Sequence, residues 1–303
     1  MAVALVGSTA SGKSAVAHEV ALASRGDVEI LSVDSMTVYR GMDIGTAKAT
    51  LTQREEVTYH LLDLIEPCEE FTVSQFQEAA RDAADQVWAL GGSVLYVGGT
   101  GLYGRAVLDN FDIPGQYPEV RAELEARTHD TAGLYEQLSQ LDPAAAAKME
   151  PTNARRVVRA LEVTVGSGRP FSSYGVGLRH YGPSRVVQVG LNCEFDVLDV
   201  RIRRRFAAWM DEGLLEEVAH LKDIGMSRTA RQAVGYRELL RHLEEGVALE
   251  QCVEDAVTQS RRLARRQRSW FQRDPRVEWF DDPSDAALRI DEVLKSPDGF
   301  VRD

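Results

Sequence analysis

Gly7-Ser8-Thr9-Ala10-Ser11-Gly12-Lys13-Ser14 follows directly on the apolar run Ala2 to Val6, and a helical pattern begins at Ala15. The octet fits G-x-x-x-x-G-K-[ST] at every fixed position. Strand, glycine-rich loop, lysine and helix stand in the order that a phosphate-binding loop requires. The glycines let backbone N–H groups close around phosphate oxygens. Lys13 adds a point charge, and the Ser14 hydroxyl can hold Mg²⁺. The other reading is a bare glycine turn between strand and helix, and the lysine and serine at the helix start argue against it. The octet says that a di- or triphosphate binds, and leaves open which bond breaks.

Outward from this loop, strands are predicted at Ala2–Val6, Glu29–Val33 and Ser93–Val97, alternating with helices. Ser74 and Gln77 are spaced as a capping box, and the helix behind them is expected to bury Phe76, Ala80, Ala83, Val87 and Leu90 and to stop at Gly91-Gly92. This alternation predicts an α/β fold: a P-loop NTPase-like core whose parallel sheet is flanked by helices on both faces. The character changes after Asp109. Phe111 to Tyr117 holds two prolines and a glycine, and 118–165 is helical with no strand signal. A Gly- and Ser-rich stretch, 172–183, then leads to an apolar strand at Val186–Leu191. A helical insertion is therefore expected over 110–182, between core segments 1–109 and 183–303. Helices at 196–211, 213–224, 236–245 and 249–272 and a short strand at Val277–Phe280 complete the pattern.

The 303 residues suffice for one large domain or two smaller ones. No apolar stretch approaches a membrane span, and the chain enters its first strand without a leader, so a cytoplasmic protein with no membrane partner is expected. Cys68, Cys193 and Cys252 are far apart and form no CxxC pair, which suggests reduced, buried or half-buried thiols. A net charge of −12 opposes nucleic-acid binding when taken alone. The distribution differs from the total. Arg155, Arg156 and Arg159 cluster, as do Arg201 and Arg203–Arg205, and a third group runs from Arg261 to Arg276. Such stripes suit an RNA backbone, and equally suit solvated helix faces paired with nearby acids.

Asp34-Ser35 ends the second predicted strand. A carboxylate at the carboxyl end of a parallel strand faces the ligand crevice, where it can hold Mg²⁺ or accept a proton; a turn cap is the plainer alternative. The third strand ends in Val97-Gly98-Gly99-Thr100-Gly101, with no acid to position water. Its glycines allow a close backbone approach by a flat or bulky substrate, and Thr100 offers a hydroxyl. Arg261, Arg265 and Arg268 share one helix face, followed by Trp270 and Phe271, which could stack on bases or pack in the core.

The chain resembles the bacterial tRNA dimethylallyltransferases along nearly its whole length. The resemblance rests on the Gly7–Ser14 octet, Asp34-Ser35-Met36-Thr37-Val38-Tyr39, Met42-Asp43-Ile44-Gly45-Thr46-Ala47-Lys48, His60-Leu61-Leu62-Asp63 and Phe71 to Phe76. It continues through Val97 to Tyr103, Arg155 to Val163, Ala233 to Glu238 and Arg265 to Phe271. The Asp-Ile-Gly-Thr-Ala-Lys segment together with Gly-Gly-Thr-Gly-Leu-Tyr is far more specific than the phosphate loop. The resemblance implies alkyl transfer from dimethylallyl diphosphate, with Mg²⁺, to N6 of the adenosine 3′ of the anticodon. Asp34 matches the general base and Thr100 the threonine that contacts the bridging oxygen. Lys13, Ser14 with Mg²⁺, and Arg201 would neutralise the departing diphosphate. Asp34, Ser35, Met36, Thr37, Thr100 and Arg121 match tRNA contacts. Arg155, Arg159, Gln232, Tyr236, Arg237, Arg261 and Arg265 would hold the anticodon stem-loop of the tRNA. The protein is expected to act as a monomer.

Two other functions compete with this one. The first is a P-loop small-molecule kinase or adenylate isopentenyltransferase, and the second a non-enzymatic, nucleotide-gated RNA-binding protein. The helical insertion and the arginine clusters favour a macromolecular acceptor over a small one.

Overall fold

A computed structural model describes residues 1–175, 177–178 and 180–296. It divides into two compact units, Met1–Asp109 with Pro183–Asp303, and Asn110–Gly182.

The first unit runs β1 Ala2–Gly7, α1 Lys13–Ala23, β2 Val28–Ser32, α2 Leu51–Glu56, β3 Tyr59–His60, α3 Val73–Ala89, β4 Ser93–Gly98 and α4 Gly101–Leu108. The second unit holds α5 Pro118–Ala126, α6 Thr131–Leu141, α7 Pro143–Ala146 and α8 Ala154–Ser167. The chain then returns to the first unit with β5 Val187–Leu191, α9 Phe195–Asp211, α10 Leu214–Ile224, α11 Tyr236–Glu245, α12 Leu249–Phe271, β6 Val277–Phe280 and α13 Pro283–Lys295.

The six strands are parallel, in the order β3-β2-β4-β1-β5-β6. Successive side chains alternate across β1, as the strand period demands. Val3 and Leu5 pack with α1 and α13, and Ala4 and Val6 belong to the opposite core built with α3, α9, α11 and α12. Both faces are covered, which explains why the strands read as continuous apolar runs. From β1 the chain first fills one side, laying down β2 and β3 and then β4 between β2 and β1, before it adds β5 and β6 on the other side. The carboxyl end of β1 therefore lies at the topological switch point, where a crevice opens. The second unit closes its own core with Leu124, Leu134, Leu138, Val157 and Leu161.

Three details differ from the sequence reading. Helix α3 is capped by Thr72, not Ser74: Thr72 Oγ1 accepts from Gln75 N–H at 3.2 Å, and Gln75 Oε1 accepts from Thr72 N–H at 2.9 Å. Phe71 before the cap meets Phe76 edge-on at 6.4 Å, a hydrophobic staple that fixes this start. Leu90 caps the other end and is 85% exposed rather than buried, because the helical turn ends at Ala89 and the chain reverses at Gly91 with φ 81°. Cys68 is exposed on a surface turn, and all three cysteines are free thiols. Elements α2, β3 and α13 carry no expectation from the sequence. β3 is too short for a period to show, whereas α13 does have a start signal in the sequence, Asp282 as cap with Pro283 in the first turn.

Candidate active site

The phosphate loop lies between Gly7 and Lys13. Ala10 with φ 63° and Gly12 with φ 103° curl it back on itself, and α1 starts with no side chain capping its N–H groups. A helix end left open in this way favours an anion. Lys13 Nζ donates to Ser8 O at 3.3 Å, and burial lowers its pKa to about 8, with Asp34 opposing and Arg205 assisting.

Two arginines one turn apart on α9 reach the loop. Arg201 Nη1 donates to Ala10 O at 3.3 Å and Ser11 O at 3.0 Å, so it braces the loop carbonyls. Arg205 Nη2 donates to Thr9 Oγ1 at 2.8 Å, and its guanidinium stacks 4.6 Å from the Trp209 ring. Arg205 Nε is buried without a hydrogen-bond partner, and burial lowers the pKa of the group to about 10. At neutral pH it is a cation with no carboxylate at ion-pair distance among the described residues. The sequence reading named Arg201 as the diphosphate residue and missed Arg205, although a spacing of four already placed both on one helix face.

Asp34 follows β2. Its Oδ1 accepts from Met36 N–H at 2.8 Å, a local turn of the kind expected as the plainer reading, and Oδ2 has no partner among the described residues. Thr100 Oγ1 accepts from Ser35 N–H at 3.5 Å, which ties the end of β4 to the end of β2. Lys13, Ser14, Asp34, Met36 and Arg205 line one cavity of about 660 Å³. Thr100 borders instead a small apolar void with Val33 and Gly104. Thr37 is mostly buried, its hydroxyl 3.2 Å from Ser32 Oγ, and both residues line the same cavity.

The glycines at the end of β4 make room for protein neighbours, and Gly98 also lines the cavity. A Cβ on Gly98 would lie 2.1 Å from Val33 O, one on Gly99 2.7 Å from Gln267 Nε2, and one on Gly101 2.3 Å from Trp270. Phe271 is buried, which removes it from any base-stacking surface, and Trp270 is half-buried against the core.

Gly45 to Lys48 form another wall of the cavity, and the segment from Asp43 is ordered by Glu217, which the sequence reading did not single out, and by Tyr236, which it expected at the RNA. Glu217 on α10 accepts from the N–H groups of Asp43, Ile44 and Gly45 at 3.1, 2.8 and 3.4 Å. Tyr236 donates to the same carboxylate at 2.5 Å. Burial and then Glu217 push the Tyr236 hydroxyl well above its ordinary pKa. Tyr236 has 0% exposure, so its side chain offers RNA nothing; it braces Gly45 from behind. Lys48 donates to Tyr39 O, Asp43 Oδ1 and Asp63 Oδ1 at 2.7, 2.6 and 2.7 Å.

The remaining expected RNA contacts divide into engaged and open groups. Arg261 pairs with Asp199 at 3.2 Å, and Arg265 lies 5.3 Å over the Phe195 ring while staying exposed. Gln232 is exposed, and Arg237 is turned onto Glu238. In the second unit, Arg121 and Arg159 donate to the wholly buried Glu162 at 3.3 and 2.7 Å, whereas Arg155 is exposed. Among the described residues no group of three His, Cys, Asp or Glu side chains is placed to hold a metal, and no helix is long and apolar enough to cross a membrane.

Fold and cavity define a phosphate-loop α/β protein with an open carboxylate beside the loop and no acid at the end of β4. A family model described as IPP transferase matches residues 37–274. A tRNA dimethylallyltransferase of Nocardioides sp. (strain ATCC BAA-499 / JS614) is 42% identical over 303 residues, covering 98% of this chain and 97% of its own. One from Salinispora arenicola is 45% identical over 284 residues, 92% of this chain and 82% of its own. The crystal structure of the tRNA isopentenylpyrophosphate transferase of Bacillus halodurans shares 39% identity at TM-score 0.68, covering 96% and 94% of the two chains. The chain belongs to the tRNA dimethylallyltransferase family.

Proposed function

We propose that the protein transfers the dimethylallyl group of dimethylallyl diphosphate to N6 of the adenosine 3′ of the anticodon, position 37 of the tRNA, giving N6-dimethylallyladenosine. The observation that carries this reading is the cavity itself. It joins a phosphate loop holding surplus positive charge, Lys13 and Arg205, to the open oxygen of Asp34.

The exocyclic amine is a weak nucleophile because its lone pair is delocalised into the ring. As N6 bonds to C1 of the donor, the C1–O bond breaks and both electrons leave with diphosphate. Asp34 takes the N6 proton. Lys13, Arg205 and the loop N–H groups meet the charge growing on the leaving group. Thr100, tied to Ser35 beside Asp34, would reach the bridging oxygen once its hydroxyl turns from the adjoining void toward the cavity. Arg201 acts on the diphosphate through the loop carbonyls it holds. Ser14 is exposed at the start of α1 and lines the cavity, so its hydroxyl would be the group that holds Mg²⁺ there. Bound there, the ion would neutralise diphosphate charge. The adenosine must leave the loop stack to reach Asp34, and a loop base is cheaper to extrude than a paired one. For the anticodon stem-loop we assign, within the first unit, the residues around Asp34 and Thr100 with Gln232, Arg237, Arg261 and Arg265; Arg121, Arg155 and Arg159 of the second unit are assigned to the tRNA separately. We place the reaction in the cytoplasm and assign it to the monomer.

The test is incubation with Mg²⁺, dimethylallyl diphosphate and undermodified tRNA, followed by mass analysis of the nucleosides. A prenyl mass on adenosine is expected. Transfer seen only with free AMP, or phosphate release from ATP, overturns the proposal in favour of the two competing enzyme readings. Asp34→Ala should lower turnover about 100-fold or more with little loss of tRNA binding. Turnover at the wild-type rate removes Asp34 from the mechanism.

A further inference from the structure

Helix α12 enters the phosphate site through one side chain that the mechanism above does not use. Gln267 Oε1 accepts the N–H of Thr9 at 2.8 Å, across 258 positions of sequence. This bond fixes the amide. A backbone N–H can be met only by the carbonyl oxygen, so the NH₂ group must point the other way. There it rests against Gly99, where a Cβ would lie 2.7 Å from Nε2, so any side chain at 99 would displace it. Gln267 lines the same cavity as Lys13, Ser14 and Asp34. Nε2 has no hydrogen-bond partner among the described residues. An oriented neutral donor thus stands between the phosphate loop and the Gly99-Thr100 turn.

We propose that the Gln267 amide nitrogen donates directly to a diphosphate oxygen of the donor substrate, making Gln267 a catalytic residue for leaving-group departure. The proposal rests on the transfer reading above for the identity of the donor, and on geometry alone for the diphosphate contact. A hydrogen bond to an anion is stronger than one between neutral groups, and the fixed amide needs no reorganisation when charge builds on the leaving oxygen. Since α12 also carries Arg261 and Arg265, the same helix would touch the donor at one point and tRNA at others.

The experiment measures binding of inorganic pyrophosphate, in magnesium buffer, to the full chain by calorimetry, with thermal melting as the check on folding. Gln267→Met removes the amide at nearly constant shape. It should melt close to wild type and bind pyrophosphate about tenfold more weakly, the size expected for losing one charge-assisted bond. Gln267→Glu keeps an acceptor for Thr9 but removes the donor and adds a charge. Its deficit relative to wild type should be larger at pH 7.5 and should shrink towards pH 5, as the introduced carboxyl regains a proton and with it a donor. Loss of the added charge and return of a donor both drive this recovery, so the Gln267→Met comparison measures the donor itself. Binding by Gln267→Met within twofold of wild type, or a Gln267→Glu deficit independent of pH, overturns the proposal. Because pyrophosphate binding needs no tRNA, this result is separate from failure of the transfer reaction itself.

Discussion

Lys13 and Lys48 line the same cavity and live by opposite electrostatics. Lys48 has a side chain with 0% exposure and two carboxylates in contact, Asp43 and Asp63, and a backbone carbonyl takes its third donor. Lys13 has a single carbonyl at 3.3 Å and a pKa that burial lowers to about 8. The segment around Lys48 neutralises itself, down to Glu217 accepting three of its amides. The phosphate loop does not: Lys13, Arg205 and the open start of α1 leave it positive. A buried cation without a counter-ion is unfavourable until an anion arrives, and a satisfied one is scaffold. The difference separates ligand-binding charge from structural charge within one crevice.

The widest separation should come from removing each lysine in turn. Lys48→Met leaves Asp43 and the Tyr39 carbonyl without their buried donor while Asp63 keeps Arg54, and should destabilise the fold by about 1–3 kcal/mol in denaturant unfolding. Lys13→Met removes an unpaired cation, so its melting temperature should hold or rise while pyrophosphate affinity falls about 100-fold or more. Equal stability losses in the two variants would break the comparison. The pH dependence sharpens it. In the free protein Lys13 gives up its proton above about pH 8, and bound diphosphate would hold that proton on. Pyrophosphate affinity should therefore be flat from pH 7 to 8 and fall by up to tenfold per unit above that; a flat profile to pH 9.5 would show the lysine charged throughout. A smaller effect is expected at the arginines of α12. Neutralising Arg261 and Arg265 to Gln should reduce the slope of log tRNA affinity against log salt by about one for each phosphate no longer neutralised, while pyrophosphate binding stays unchanged. An unaltered slope makes the stripe a solvated face. The smallest effect lies away from charge: Gly104 is buried in α4 beside an apolar void, and a Cβ there meets nothing within 4 Å. Gly104→Ala should stabilise by about 1 kcal/mol without altering pyrophosphate binding.

What the sequence carried in full was local. The phosphate loop is eight consecutive residues whose meaning depends on order alone, and the strands and helices around it follow from apolar periods over a few turns. Even there the cap of α3 went to Thr72, because two overlapping boxes fit the sequence and only the packing of Phe71 on Phe76 chooses between them.

The tertiary structure decided which charged side chains are spent and which remain available. Arg201 and Arg205 are chemically alike and neither meets a carboxylate among the described residues, yet Arg201 spends its Nη1 on loop carbonyls whereas Arg205 gives Nη2 to Thr9 and keeps a buried Nε without a partner. Tyr236 looked like a contact and proved to be buried support. Gln267 reached the loop from 258 positions away, a distance at which no periodicity or spacing carries a signal. Burial and pairing are properties of neighbours in space, so a sequence names the groups able to bind phosphate, and the fold leaves only some of them free to do it.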